Sequence, residues 1–141
     1  MSDGGRGHRA RPHTADARIE AWGPTAAACY EEAVAALVGL FADVSGAPAG
    51  TSRRITAGPG SPERLLVELL DEVLTCVDAE GLVPRRTRVV ARGDTLAADL
   101  DLVPLGAVRV AGSAAKGVSY GGLGFAPDGR GGWRCRATVD V

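Results

Sequence analysis

The sequence predicts an α+β fold: a single two-layer domain with a mainly antiparallel sheet and two helices packed on one face. Two stretches, near 25–44 and 61–81, repeat apolar residues at helical spacing. From residue 83 onward, short runs alternate apolar and polar residues between turn signals. Helices separated by strands and then followed by a run of hairpin-connected strands indicate this class rather than a parallel βαβ array. The 141 residues fit one domain, with no internal repeat or linker to divide it. The polar, Gly/Arg-rich start is expected to be a flexible lead-in over 1–10, with the folded domain over 11–141.

The elements follow in order. Ala17, Ile19 and Ala21 alternate with Arg18, Glu20 and Trp22, the pattern of a half-buried strand. Gly23 and Pro24 mark a turn, and Thr25 is a candidate cap for a helix reaching about residue 44, with Cys29, Ala33, Leu37, Leu40, Phe41 and Val44 on one face. A strand over 52–57 ends at the breaker Gly58-Pro59-Gly60. Ser61, Pro62 and Glu63 open the second helix with a cap, a proline at the first helical position and an early acid. Its stripe is Leu66, Leu69, Leu70, Val73, Leu74 and Val77, and Gly81 sits where a C-terminal glycine ends a helix. Strands over 87–91 and 96–102 flank the turn residues Arg92, Gly93 and Asp94. Later strands are expected at 108–110, 116–125 and 133–141, the last two separated by the glycine-rich tip 127–132.

Composition narrows the function classes. Sixteen basic residues against 17 acidic ones leave a net charge of −1, without the broad positive footprint of a protein that lives on nucleic acid, although a local patch stays open. No apolar run approaches the ~20 residues a bilayer needs, and the start lacks the apolar segment of a secretory signal. The expectation is a cytoplasmic protein that does not contact membranes. Lys116 is the one lysine in an arginine-rich chain, which marks it for attention. Cys29, Cys76 and Cys135 lack zinc spacing, and each falls on an apolar period, so all three are expected to be buried small hydrophobes. Glu31 and Glu32 read as a solvated helix face.

The candidate chemistry lies at the two ends of the chain. By parity Asp16 shares the polar face of Arg18 and Glu20, and Asp140 shares the polar face of Arg134, Arg136 and Thr138. With the helices covering the apolar face, both aspartates lie on the other side of the sheet. If the first and last strands are neighbours, the carboxyl group of Val141 joins them. Carboxylates without thiols suit a hard cation such as Ca²⁺ or Mg²⁺. The alternative is ordinary: Asp16 as a turn carboxylate and Asp140 paired with Arg134 or Arg136. His13 is open between a ligand, a base and a residue hydrogen-bonded to the turn. The run GVSYGGLGF lacks a following helix and a GxGxxG or GK[ST] pattern, so it is not a phosphate loop, and no hydrolase motif is present.

Together, four segments resemble the archease family: PHTAD at 12–16, DAEGL at 78–82, GSAAKGVSYGGL at 112–123 and the final WRCRATVDV at 133–141. The match runs in order over nearly the whole chain. It departs from the family pattern at Ala114, Gly121, Ala17 and Arg18, and over 84–105. The resemblance implies a small protein that is not itself a ligase. Such a protein activates an RtcB-type RNA-splicing or RNA-repair ligase by promoting guanylylation of the ligase's catalytic histidine and its multiple turnover. It implies a divalent cation, Ca²⁺ by preference with Mg²⁺ or Mn²⁺ as substitutes, on Asp16, Asp140 and Val141. It also implies a functional Lys116 and a site-shaping His13, with GTP or RNA met only through the ligase. Two other classes stay open: a stand-alone metal-dependent phosphohydrolase using Asp16, Asp140 and His13, and a general chaperone or scaffold.

Overall fold

A computed structural model describes residues 5–12, 16–112 and 114–141. Among them the chain order is β1 (Gly7–Pro12), β2 (Asp16–Gly23), α1 (Ala26–Gly39), β3 (Ala42–Asp43), β4 (Thr51–Ala57), α2 (Pro62–Glu80), β5 (Leu82–Arg92) and β6 (Thr95–Pro104), then β7 (Arg109–Val110), β8 (Gly117–Pro127) and β9 (Trp133–Asp140). All strand pairs are antiparallel, as expected, and they fall into three sheets: β1-β2-β9-β8, β4-β6-β5 and the short pair β3-β7. The two helices join the larger sheets. Helix α1 touches β1, β2 and β9 on one side and β5 on the other, while α2 reaches β8 as well as β4, β5 and β6.

The ends of α2 follow from its capping residues. The Ser61 hydroxyl accepts the Arg64 N–H at 3.2 Å, Pro62 begins the helix, and Gly81 closes it at φ 65°, a left-handed conformation that glycine adopts without steric cost. Helix α1 opens as expected, with the Thr25 hydroxyl accepting the Ala28 N–H at 3.0 Å. It ends at Gly39 rather than near residue 44, because Ala42 and Asp43 leave the helix to pair with Val110 and Arg109. Its buried surface is wider than one stripe, since Tyr30, Val34, Ala36 and Val38 are buried along with Cys29, Ala33 and Leu37. A helix between two sheets has apolar neighbours on more than one side.

The core contains Leu66, Leu69, Leu70 and Val73 of α2, Leu100 and Leu102 of β6, and the inward residues Ile19, Ala137 and Val139. Tyr30, Phe125 and Trp133 form an aromatic row, with ring centroids 4.3 Å and then 5.7 Å apart. The Tyr30 hydroxyl donates to the Pro62 carbonyl at 3.0 Å, which ties α1 to the start of α2. All three cysteines are buried free thiols, as their periodicity predicts.

Two expectations are corrected here. The lead-in predicted over 1–10 includes residues 7–10, which instead belong to β1 and pair with β2. The polar, glycine-containing GHRARP lacks a strong strand pattern because it is an edge strand, with β2 as its single neighbour in the sheet. Glu31 and Glu32 are not a free solvated face. Glu31 accepts the Val89 N–H at 2.8 Å across 58 residues, and Glu32 bonds Arg6 at 2.5 Å and His8 at 2.8 Å. Among the described residues no helix is long and apolar enough to cross a membrane.

Candidate functional site

Strand β2, the first strand the sequence predicts, and the last strand, β9, are neighbours. In the β2–β9 ladder, Asp16 stands opposite Asp140, Ala17 opposite Val139 and Arg18 opposite Thr138. Residues directly opposite in an antiparallel pair have Cα atoms about 4.5–5.5 Å apart and side chains on the same face. Parity then fixes which face. Ala17, Ile19, Ala21, Ala137 and Val139 are each at most 1% exposed against the helices, so Asp16 and Asp140 project from the opposite side.

Strand β8 completes the same end. Gly117 pairs with Asp140, and the Lys116 N–H donates to the Asp140 carbonyl at 2.7 Å. One residue thus brings together Asp16 from β2, Lys116 from the loop before β8, and Val141, which follows Asp140 directly. Asp140, Val141 and Lys116 are exposed and Asp16 is half-buried. His13 lies outside the described residues.

The ordinary account of Asp140 does not hold. Arg136 donates through Nε to the Gly122 carbonyl at 2.9 Å, and Arg134 stacks on the Trp22 ring, 5.2 Å from its centroid. Among the described residues, neither Asp16 nor Asp140 has an ion-pair partner. Asp16 is a ladder residue of β2 rather than a turn carboxylate. Two carboxylates facing each other on a sheet destabilise it unless something positive sits between them. Among the described residues, no three His, Cys, Asp or Glu side chains gather as metal donors. Among the described residues the facing pair Asp16 and Asp140 supplies side-chain oxygens, and carboxylate oxygens fit a hard cation better than a transition metal that prefers imidazole or thiolate.

Lys116 borders a second feature, a groove of about 640 Å³ lined by Asp71, Thr75 and Asp78 of α2 together with Ala114, Ala115 and Lys116. Burial, with Glu72 beside it, raises the Asp71 carboxyl above its ordinary value. Asp71 and Asp78 are spaced seven apart on α2, and this was the only sequence signal that they share a helix face. Tyr120 belongs to the family-like run 112–123, but nothing in that run gives it a separate role. It is 66% exposed, and it occupies a shift in the β8–β9 register between Ser119 and Gly124, where Gly122 adopts φ 73°. The glycines of this stretch thus serve a bulge rather than a phosphate loop.

Comparison with known proteins bears on the family and the fold. The model of the archease protein family (MTH1598/TM1083) matches residues 8–141. A probable protein archease of Mycobacterium tuberculosis is 43% identical over 143 aligned residues, covering 96% of this chain and 75% of that protein. A protein archease of Methanosarcina barkeri is 32% identical over 89 residues, covering 63% of this chain and 61% of that protein. The solution structure of Methanobacterium thermoautotrophicum protein 1598 shares the fold, with a TM-score of 0.75 at 23% identity over 96% of this chain and 99% of that one. With the family model matching nearly its full length, the chain belongs to the archease protein family.

Proposed function

We propose that this chain is an accessory protein of an RtcB-type RNA ligase, promoting guanylylation of the ligase and so its repeated turnover. The observation behind this reading is the facing pair Asp16 and Asp140, with Lys116 hydrogen-bonded to the same residue. In this reading Asp16, Asp140 and the carboxyl group of Val141 hold one divalent cation, Ca²⁺ by preference and Mg²⁺ or Mn²⁺ otherwise. When bound, the cation neutralises the facing carboxylates and offers positive charge to an anionic group of the partner.

The chain's own residues have separable roles. Asp16 and Asp140 come from different strands of one ladder, so their separation is set by backbone hydrogen bonds and needs little ordering when a cation or partner arrives. Lys116 is anchored to Asp140 through its backbone N–H, and the residue borders the groove against α2. Tyr120, exposed on the neighbouring bulge, is an aromatic anchor of the kind that dominates protein interfaces. Docking of this sheet end at the ligase's nucleotide site favours the ligase conformation that accepts the guanylyl group, a population shift that the adaptor makes by binding one state more tightly.

To test this, the guanylylated fraction of the purified ligase is followed with GTP and with wild-type, Asp16→Ala, Asp140→Ala or Lys116→Ala protein. Stimulation is expected to fall more than tenfold for each variant. Full stimulation by all three would refute the reading.

A further inference from the structure

The other end of the same sheet face has a different chemistry. Ladder register places Arg9, Arg11, Arg18, Arg134 and Arg136 on the outer face of β1-β2-β9, all exposed, in adjoining rows: Arg11 beside Arg18, Arg9 beside Glu20 and Arg136, and Trp22 beside Arg134. Within a row the strands are about 4.8 Å apart, and along a strand the rows repeat at about 6.6 Å. Glu20 is the only acid in these rows, and among the described residues none of the five arginines forms an ion pair. On the outer face of the three-stranded sheet, by contrast, Arg54 is paired with Asp99 at 2.8 Å, and Arg85 with Asp101. The β1-β2-β9 face thus sets five arginines against one acid of its rows, with Asp128 of the neighbouring tip near Arg134. On the other sheet Arg86 and Arg88, which also form no ion pair among the described residues, have Asp101 and Asp99 nearby.

We propose that this face binds single-stranded RNA along its phosphate backbone. Guanidinium groups match phosphate oxygens in bidentate geometry and give up little hydration in doing so. A protein partner fits less well, because protein interfaces centre on apolar anchors with few charges. The one aromatic here is already covered: Arg9 and Arg134 lie 5.1 and 5.2 Å from the Trp22 ring centroid, and the ring packs so closely over Gly7 that a Cβ there would be 2.6 Å away. RNA rather than DNA is indicated by Thr138 and Ser119, which continue the Arg11–Arg18 row with two side-chain hydroxyls able to meet a ribose 2′-OH. The row Asp16–Asp140–Gly117 closes the face with negative charge, so the RNA track ends where the proposed ligase-facing end begins. The inference concerns the protein alone and does not depend on ligase activation.

The test is fluorescence anisotropy of a labelled mixed-sequence 20-nucleotide RNA with the full chain. Binding is expected to fall on the order of 50-fold between about 50 and 200 mM salt, as the counterions of several phosphates are released. The exposed double variant Arg11→Glu/Arg18→Glu is expected to bind at least tenfold more weakly. Arg86→Glu/Arg88→Glu, the same change in net charge on the other sheet, is expected to bind within twofold of wild type. DNA of the same sequence is expected to bind at least threefold more weakly than RNA. The proposal is overturned by absent binding at low salt, by equal losses in the two double variants, or by DNA matching RNA. Polyglutamate of equal charge binding as tightly as RNA would also overturn it and assign the face to an acidic protein.

Discussion

Asp16 and Asp140, 124 positions apart in the chain, are direct partners across the β2–β9 ladder, and Lys116 donates its N–H to the carbonyl of the second. A bare pair of facing carboxylates opposes the pairing that creates it. Without divalent cation, Asp16→Asn should therefore stabilise the fold by roughly 0.2–1 kcal/mol. With Ca²⁺ in large excess the order should reverse: wild type gains about 2.7 kcal/mol at a hundredfold excess over Kd, and the variant gains much less. Thermal unfolding with Ca²⁺ and with chelator checks the change of sign.

Appending two glycines after Val141 replaces its carboxyl group by a peptide. Val141 is 43% exposed and lies beyond the β9 ladder, so the apo melting temperature should not change. Calcium-dependent stabilisation should fall on the order of tenfold in apparent affinity. Melting curves over a calcium series distinguish the two effects.

Much of this was legible before the fold was known. Ser61, Pro62 and Gly81 bounded α2 because cap chemistry is local, and the strict alternation of WRCRATVDV assigned both faces of β9. The facing aspartates were legible only as a shared parity. Which strands adjoin depends on tertiary packing, and no spacing along the chain encodes it. The division of strands among three sheets was hidden for the same reason. Phe41 and Val44 continue the helical period past Gly39, so nothing local announced that Ala42 and Asp43 would leave the helix for β7. The exposure of Tyr120 is not legible in the sequence because it comes from a bulge, and a bulge is a mismatch between two strands rather than a property of one.

The aromatic row makes a stability prediction. Phe125 stacks on Tyr30 and touches Trp133, joining β8 to α1 and β9. Phe125→Ala should cost about 3–5 kcal/mol, measured by urea unfolding. Cys135 lies in the same region, and its hydrogen bond to Cys29 together with burial raises its thiol well above the ordinary value. Native protein should resist alkylation at all three cysteines, and the Phe125→Ala variant should admit reagent to Cys135 first.

Acid sensitivity follows from the arginine-paired carboxylates. Hydrogen bonds from Arg54 hold Asp99 below the ordinary carboxylate range, and Arg85 does the same for Asp101. The unfolded chain then binds more protons than the folded one between about pH 4 and these lowered values, so stability rises with pH across that window. The contribution is complete above about pH 4 and is lost as pH falls through the folded values. Asp99→Asn/Asp101→Asn should lower stability at neutral pH and flatten the acid limb of the stability–pH curve, as read by chemical unfolding at each pH.

The central claim is that Asp16 and Asp140 share one cation, and calorimetric titration of metal-free protein with Ca²⁺ at neutral pH tests it most directly. One site per chain is expected in the wild type, with affinity reduced more than tenfold in both Asp16→Asn and Asp140→Asn. Calcium binding of wild-type strength in both variants would contradict the account, and the facing carboxylates would then have no cation between them.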